Sequence, residues 1–384
     1  MPPGLSGAAL QAYAGCHINS DHESSTAEEA LGKLRAGMNV LMREGSAAQD
    51  LKACLSMIVK DKISTRHCSM VSDDIDALHM EEKGHLDHKV RMAIKEGVDP
   101  ISAIEMVTIN PAENFRLQDT IGSIAPGKRA DIAFLSSLED CKVEKVMSKG
   151  KLVVDKGKLA VAFPPYHYDR CLLDTVTIPA GLRAQDLLIP CNANQAKVHV
   201  IGVSGTTLLT EAREAVVRTE DGYLASDVSR DLLHIATVER YGKGGGVGRS
   251  YVQGFGLKKG AIGLSVGHDH HNITVVGADS RDMLVAVEEI GRLSGGFVLV
   301  EDRKVMASIA LPICGLLSDK DGHEVAAELK EMVSLLHSWG CTMESPNVTL
   351  SFLTLIYIPA FGITDKGLYE FASQKIISPI IETL

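Results

Sequence analysis

The sequence predicts an α/β chain: a parallel βα segment first, then a small β unit, then a mixed α+β domain. Three observations carry this. Over residues 1–120 short apolar runs alternate with amphipathic helical patterns. Residues 121–162 read as short strands around tight turns, and from residue 197 onward strands are joined only by occasional helices. Residues 163–196, with Pro164-Pro165, Pro179 and Pro190 and little periodicity, read as a connector in which Val176 to Ile178 and Leu187 to Ile189 are single-strand candidates.

Within the first segment, Tyr13 to Asn19 is short and mostly apolar or small, and Ser25 and Thr26 are followed by Glu28 and Glu29, a helix-start signal. His22 is therefore expected on a strand-to-helix turn. Ala27 to Ala36 reads as a helix, Met38 to Met42 as a buried strand closed by Arg43-Glu44-Gly45, and Leu51 to Val59 as the next helix. A strand at Cys68 to Val71 delivers Ser72-Asp73-Asp74 to its C-terminal end. Leu86 to Glu96 is helical and stops at Gly97, and Asp99-Pro100 opens another helix running to about Val107. The small β unit pairs Gly122 to Leu135 as strand, turn and strand with Val143 to Met147 and Lys151 to Val154. In the last domain the strand candidates are Val198 to Val203, Leu233 to Glu239, Gly260 to Val266, Ile273 to Val276 and Phe297 to Glu301. The helices are Arg281 to Leu293 and Glu324 to Ser338.

Composition narrows the function classes. With 384 residues, 45% of them hydrophobic, the chain is long enough for a sizeable core and two or three domains. A net charge of −10 without a Lys/Arg-rich run argues against nucleic acid as a partner. The eight cysteines form no CxxC pair, the start Met1-Pro2-Pro3-Gly4 lacks a basic region followed by an apolar run, and no stretch has the length of a membrane span. The expectation is a soluble cytoplasmic protein.

Several groups have the chemistry of a site. Ser20-Asp21-His22-Glu23 places a histidine and two carboxylates at a helix entry. The other reading is that the acids favour the positive end of the helix and His22 is a solvated loop residue. His85 and His88 lie three apart at the opening of a helix, a spacing that suits either one metal or a structural pair. His268-Asp269-His270-His271 is the densest histidine run; it could close over a ligand, bind an ion or form a hydrogen-bonded loop. The glycines from Gly242 to Gly248 lack Walker spacing and a GxGxxG, and read as a flexible turn.

Taken in order, Gly4-Leu5-Ser6-Gly7, Ser20-Asp21-His22-Glu23, Arg43-Glu44-Gly45-Ser46, Ser72-Asp73-Asp74, Gly84-His85-Leu86-Asp87-His88, Asn110-Pro111-Ala112-Glu113 and Pro126-Gly127-Lys128-Arg129-Ala130-Asp131 resemble the adenine deaminases of the amidohydrolase superfamily. The third region resembles that family's C-terminal domain through Lys243 to Gly248, Gly254 to Lys258 and His268 to Asn272. The resemblance implies the second half of a metal-dependent hydrolase TIM-like barrel over 1–120, a small β-sandwich segment over 121–162, the connector 163–196, and the adenine deaminase α+β domain over 197–384. It implies hydrolytic deamination of adenine to hypoxanthine and ammonia in purine salvage, with a binuclear manganese or iron site.

On the family pattern His22 matches a metal ligand, and Asp73 matches a residue that both touches metal and shuttles the proton. Glu23 is a catalytic support, and Asp74, His85, His88, His268, Asp269 and His271 are substrate or supporting positions. Met1 stands where the family has a further histidine ligand, the first four barrel strands have no counterpart, and Ile75 replaces an arginine. The chain is thus expected to correspond to the C-terminal part of such an enzyme, acting as a homo-oligomer or beside an N-terminal half. A cyclic-amide hydrolase and a non-catalytic subunit are the alternatives.

Overall fold

Three short parallel strands frame the N-terminal part of the protein. The computed structural model describes residues 4–205 and 207–384, and it separates into two units: residues up to Ile75 with His79–Tyr166, and Asp76–Leu78 with His167–Leu384. Met1, compared above with a histidine, lies outside the described residues.

The first part of the chain runs α1 (Gly7–Gly15), β1 (Ser20–Asp21), α2 (Ala27–Arg35), β2 (Asn39–Arg43), α3 (Leu51–Asp61), β3 (Cys68–Val71), α4 (Ala77–Lys83), α5 (Leu86–Glu96), α6 (Pro100–Glu105) and α7 (Ile109–Asn114). β1, β2 and β3 pair in parallel in that order, with Ser20 opposite Asn39 and Val40 opposite Cys68. The helix starts follow their capping signals. Thr26 accepts the Glu29 N–H at 3.2 Å while the Glu29 carboxylate accepts the Ser25 N–H at 3.2 Å, and Asp99 accepts the Ser102 N–H at 3.0 Å ahead of Pro100. Gly97 ends α5 at φ +104°, a conformation that favours glycine.

Val40, Met42, Cys68 and Met70 pack with Leu51, Cys54, Leu55 and Ile58 of α3 and with Val90 and Ala93 of α5. Burying each such aliphatic side chain contributes about 1.5–3 kcal/mol. The outer edge of β3 is covered without a further strand. The Met70 N–H donates to the Met106 carbonyl at 3.0 Å, and the Asn110 amide donates to the carbonyls of Thr65 at 2.8 Å and Cys68 at 2.9 Å.

Two local readings change. Residues 7–15 are a helix that sequence reasoning missed, because only Leu10 is buried and no apolar stripe marks it. The strand expected from Gly122 is a bend: Gly122 at φ +91° lies so close to α7 that a Cβ would stand 2.6 Å from the Ala112 Cβ. Pairing begins at β4 (Ile132–Leu135), which forms a four-stranded antiparallel sheet with β5 (Val143–Ser148), β6 (Lys151–Asp155) and β7 (Lys158–Leu159).

The second unit is built on a large mixed sheet. Its elements are β8 (Gln195–Gly202), β9 (Glu211–Glu220), β10 (Tyr223–Leu224), β11 (Leu233–Val238), β12 (Val247–Gln253), β13 (Ala261–Leu264), β14 (Ile273–Gly277), α8 (Ser280–Arg292), β15 (Gly296–Glu301), β16 (Lys304–Ala310), α9 (Gly322–Ser338), α10 (Pro346–Phe352), β17 (Phe361–Thr364), β18 (Gly367–Glu370), β19 (Lys375–Ile377) and β20 (Ile380–Thr383). The sheet order is β10-β9-β8-β12-β11-β14-β13-β15-β16, with β20 also on β8. Among the described residues, the one parallel strand pair of this sheet is β8 with β12. β17, β18 and β19 form a separate antiparallel sheet.

The central strands read as continuous apolar runs because both sheet faces are covered. Leu233, Ile235, Ile262, Phe297 and Leu299 point to a core shared with Leu329, Met332, Leu336 and Trp339 of the α9 region. Their strand neighbours Ala236, Val238, Ala261, Val298 and Val300 pack on Met283, Ala286, Val287 and Ile290 of α8. The connector candidates at 176–178 and 187–189 are not strands; Thr177 and Pro190 make isolated bridges to Tyr241 and Tyr223. β9 was missed because its exposed positions carry Glu211, Glu214, Arg218 and Glu220, which hides its alternation. Among the described residues no helix is long and apolar enough to cross a membrane.

Within β11 the buried His234 ring stands 5.1 Å from the Tyr251 ring, and burial pushes its pKa down to about 4. A folded pKa below the unfolded value of about 6.5 means stability present at neutral pH and lost as pH falls through that window. We expect the second unit to lose about 2 kcal/mol between pH 7 and pH 5. Urea titrations should show His234→Gln flattening that slope; an unchanged slope in the variant would remove His234 as its source.

Candidate functional site

The C-terminal ends of β1, β2 and β3 converge on one buried guanidinium. Arg43, the last residue of β2, is 3% exposed. Its Nη1 donates to Glu23 Oε2 at 2.7 Å and stands 3.5 Å from Asp73 Oδ2, while its Nε donates to Asp50 Oδ2 at 2.8 Å. Glu23 follows β1, Asp73 follows β3, and Asp50 stands at the entry of α3, where its carboxylate turns to Arg43 and makes no cap hydrogen bond. His22 extends the cluster toward solvent, its Nε2 3.2 Å from Glu23 Oε1.

The charges set the titration of these groups. His22 is raised from its ordinary value chiefly by its hydrogen bond to Glu23, against desolvation. Burial pushes the Glu23 carboxyl upward, but the His22 hydrogen bond and the Arg43 charge outweigh it and bring the pKa down to about 2. Arg43 is raised, its carboxylate neighbours overcoming desolvation. Burial raises Asp50 despite its bond to Arg43. Behind this layer, Asp21 Oδ2 accepts from the fully buried Lys33 at 2.6 Å, from Ser24 Oγ at 3.0 Å and from the Glu23 N–H at 3.1 Å, and Lys33 also reaches Glu29 at 2.8 Å.

The loop after β3 is held by backbone contacts. Asp73 sits at φ +54°, and the Asp74 carbonyl accepts the Ser46 N–H at 2.7 Å. Gly45 permits this approach, since a Cβ there would lie 2.7 Å from the Asp74 oxygen. Ser72 Oγ and His85 Nε2 are 2.6 Å apart, so His85 tethers this loop to the start of α5. His85 and His88 are both lowered by burial.

The other histidine group lies in the second unit. The His268 ring stands 4.6 Å from the Phe352 ring and 5.8 Å from the His271 ring, and Asp269 is 3.9 Å from His268 and largely exposed. The His268 N–H donates to the Ser351 carbonyl at 2.9 Å and its carbonyl accepts from Thr354 Oγ1 at 2.7 Å. His270 is lowered by burial. The Gly242–Gly246 loop is not merely a turn. It wraps the Glu239 carboxylate, which accepts the N–H groups of Tyr241, Lys243 at 3.0 Å and Gly245 at 3.2 Å.

Of the positions expected from sequence, His22, Glu23 and Asp73 are brought together around Arg43. Asp74 contributes its backbone next to them, and His85 holds the loop that carries them. The central residue, Arg43, had no assigned role, and neither had Asp50. Their signal was an arginine closing a strand seven residues before an acid at a helix entry. The donor set does not suit a divalent ion unaided: among the described residues no three His, Cys, Asp or Glu side chains are placed to hold one. Glu23 and Asp73 face a fixed cation instead.

Two tests address this cluster. Arg43→Met leaves three carboxylates without their cation and should lower stability by about 3 kcal/mol in urea unfolding at pH 7. Arg43→Lys should recover little of it, because one ammonium cannot span three acids; full recovery would show that charge alone suffices. Beside it, burial raises the Glu44 carboxyl to about 7, so stability falls as pH rises from about 4.5 through 7. Glu44→Gln should raise the melting temperature at pH 8.5 and change it little at pH 4.

Comparison with known proteins places both segments. Residues 5–153 match the amidohydrolase family and residues 207–375 match the adenine deaminase C-terminal domain. Adenine deaminase 1 of Carboxydothermus hydrogenoformans is 41% identical over 94% of this chain and 60% of its own length. The adenine deaminase of Desulforamulus reducens is 37% identical over 99% of the chain and 65% of its own. That of Sinorhizobium fredii is 40% identical over 96% and 63%. The chain thus spans somewhat under two thirds of the length of these relatives. A crystal structure of an amidohydrolase superposes at a TM-score of 0.30 with 18% identity over 41% of this chain and 44% of that one.

Proposed function

From the premise that this chain joins an amidohydrolase-family segment to an adenine deaminase C-terminal domain, we propose that it serves the hydrolytic deamination of adenine to hypoxanthine and ammonia. The observation that carries the reading to residues is the convergence of Glu23, His22 and Asp73 on Arg43 at the ends of consecutive parallel strands. In this reading β1, β2 and β3 are successive strands of a (β/α)₈ barrel, whose C-terminal strand ends carry the chemistry.

The reaction adds water across adenine C6 and expels the exocyclic amine as ammonia. A carboxylate must take a proton from the water and return one to the amine. Asp73 takes that part: it stands at a strand end, Arg43 orients it, and its backbone is held between Ser46 and the Ser72–His85 tether. Glu23 stays ionised at neutral pH and holds the His22 ring by a hydrogen bond. Amidohydrolases of this kind use divalent ions, which activate water when bound. The described residues do not complete such a site, so ions in excess belong in the assay.

The test is to incubate the chain with excess Mn²⁺ and adenine, and to measure hypoxanthine by chromatography and ammonia enzymatically. Equimolar products are expected, with Asp73→Asn slower by about 10²–10⁴ and a cyclic amide such as hydantoin untouched. Hydantoin opening with adenine intact would favour the cyclic-amide reading. Conversion of neither would overturn the assignment of activity to this chain.

A further inference from the structure

Arg240 follows β11 in the second unit and is 2% exposed. Its backbone is pinned, the N–H to Asn272 Oδ1 at 3.3 Å and the carbonyl to the Thr177 N–H at 2.8 Å. Of the guanidinium, Nη2 donates to the Cys314 carbonyl at 3.0 Å, while Nε and Nη1 are buried with no hydrogen-bond partner. Space for this group is built into the fold: Gly315, at φ +69°, carries no Cβ, and one would stand 1.7 Å from Nη1.

The adjacent acid makes no ion pair with it. The Glu239 carboxylate is occupied by the N–H groups of its own glycine loop. His271, also in a left-handed conformation at φ +50°, has a buried Nδ1 with no partner, and the Arg240 charge acts on it. Each unsatisfied buried donor costs about 1–3 kcal/mol, and a buried charge without a counter-charge costs several more. The group that would relieve both is negative and rich in acceptors. Guanidinium donors match carboxylate and phosphate oxygens.

We propose that Arg240 and His271 form a binding site for a small oxyanion of the phosphate or carboxylate class. The inference does not depend on the deaminase reading, since every residue it uses lies in the second unit.

Titrate the full chain with inorganic phosphate and, separately, acetate by calorimetry, and follow phosphate by ³¹P line width. Saturable one-to-one binding of either anion is expected, weakened at least tenfold in Arg240→Met. His271→Asn should weaken it severalfold and provides the answer if circular dichroism shows Arg240→Met unfolded. Lys243→Ala, a charge change on the neighbouring loop, should bind as the wild type does. Absence of saturable binding of both anions, or equal binding by the wild type and a folded Arg240→Met, would overturn the proposal and leave the guanidinium to the Cys314 carbonyl and the Tyr241 ring, whose centroid is 5.2 Å from Cζ.

Discussion

The buried guanidinium of Arg43 is the constraint on which the first unit's strand ends depend. Removing a charge from water costs several kcal/mol unless oppositely charged groups surround it. Three acids do so here, and each comes from a different turn: Glu23 after β1, Asp50 before α3 and Asp73 after β3. β2 is the middle strand, so its last side chain is the one that can reach all three. The parallel register then becomes a requirement, because sliding β1 or β3 by one residue would carry the turn behind it, and its acid, about 3.3 Å along the sheet. A second buried cation, Lys33, fixes the layer beneath through Asp21 and Glu29. Hydrogen-bonded acids and cations thus run inward from His22, through Glu23 to Arg43 and through Asp21 to Lys33.

Backbone geometry does what charge cannot. Asp73 adopts a left-handed conformation that costs a residue with a Cβ about 1–2 kcal/mol, so something must hold it there. On one side Ser46 donates to the Asp74 carbonyl, an approach open only because residue 45 is glycine. On the other, Ser72 is joined to His85 at the start of α5. The same tether gives His85 a positioning role. Arg43, Gly45 and Ser46 of the Arg-Glu-Gly-Ser string therefore share one task, the positioning of Asp73, although they lie on a different strand from it.

Much of this was legible in the sequence, and the exceptions have physical causes. Helices with capping acids and a buried stripe, such as Ala27–Arg35 and Leu86–Glu96, were readable to within a residue or so, because local hydrogen bonds and periodicity agree there. The strand Cys68–Val71 was readable because three of its four residues are apolar and Ser-Asp-Asp follows it. Gly7–Gly15 was not, since a helix with one buried residue leaves no pattern. β9 was not, since its outward face is charged. The carboxylates and the histidine of the site were visible as residue types. Their common centre was hidden because an arginine within an apolar strand end declares its partners only when the strands are paired.

The glycine run from Gly242 to Gly248 shows a further limit of composition. A loop rich in glycine exposes successive N–H groups, and such a concave array suits any anion. Whether the anion is a ligand or part of the protein depends on the residues around the run. Here Glu239 precedes it by three positions, and Tyr241, Lys243 and Gly245 turn their N–H groups inward onto its carboxylate. The loop spends its donors on an internal acid, and by doing so it separates that acid from the arginine next to it in sequence. Neighbouring residues of opposite charge need not form an ion pair when backbone donors claim one of them first, so the charge balance of this unit has to be counted group by group in space.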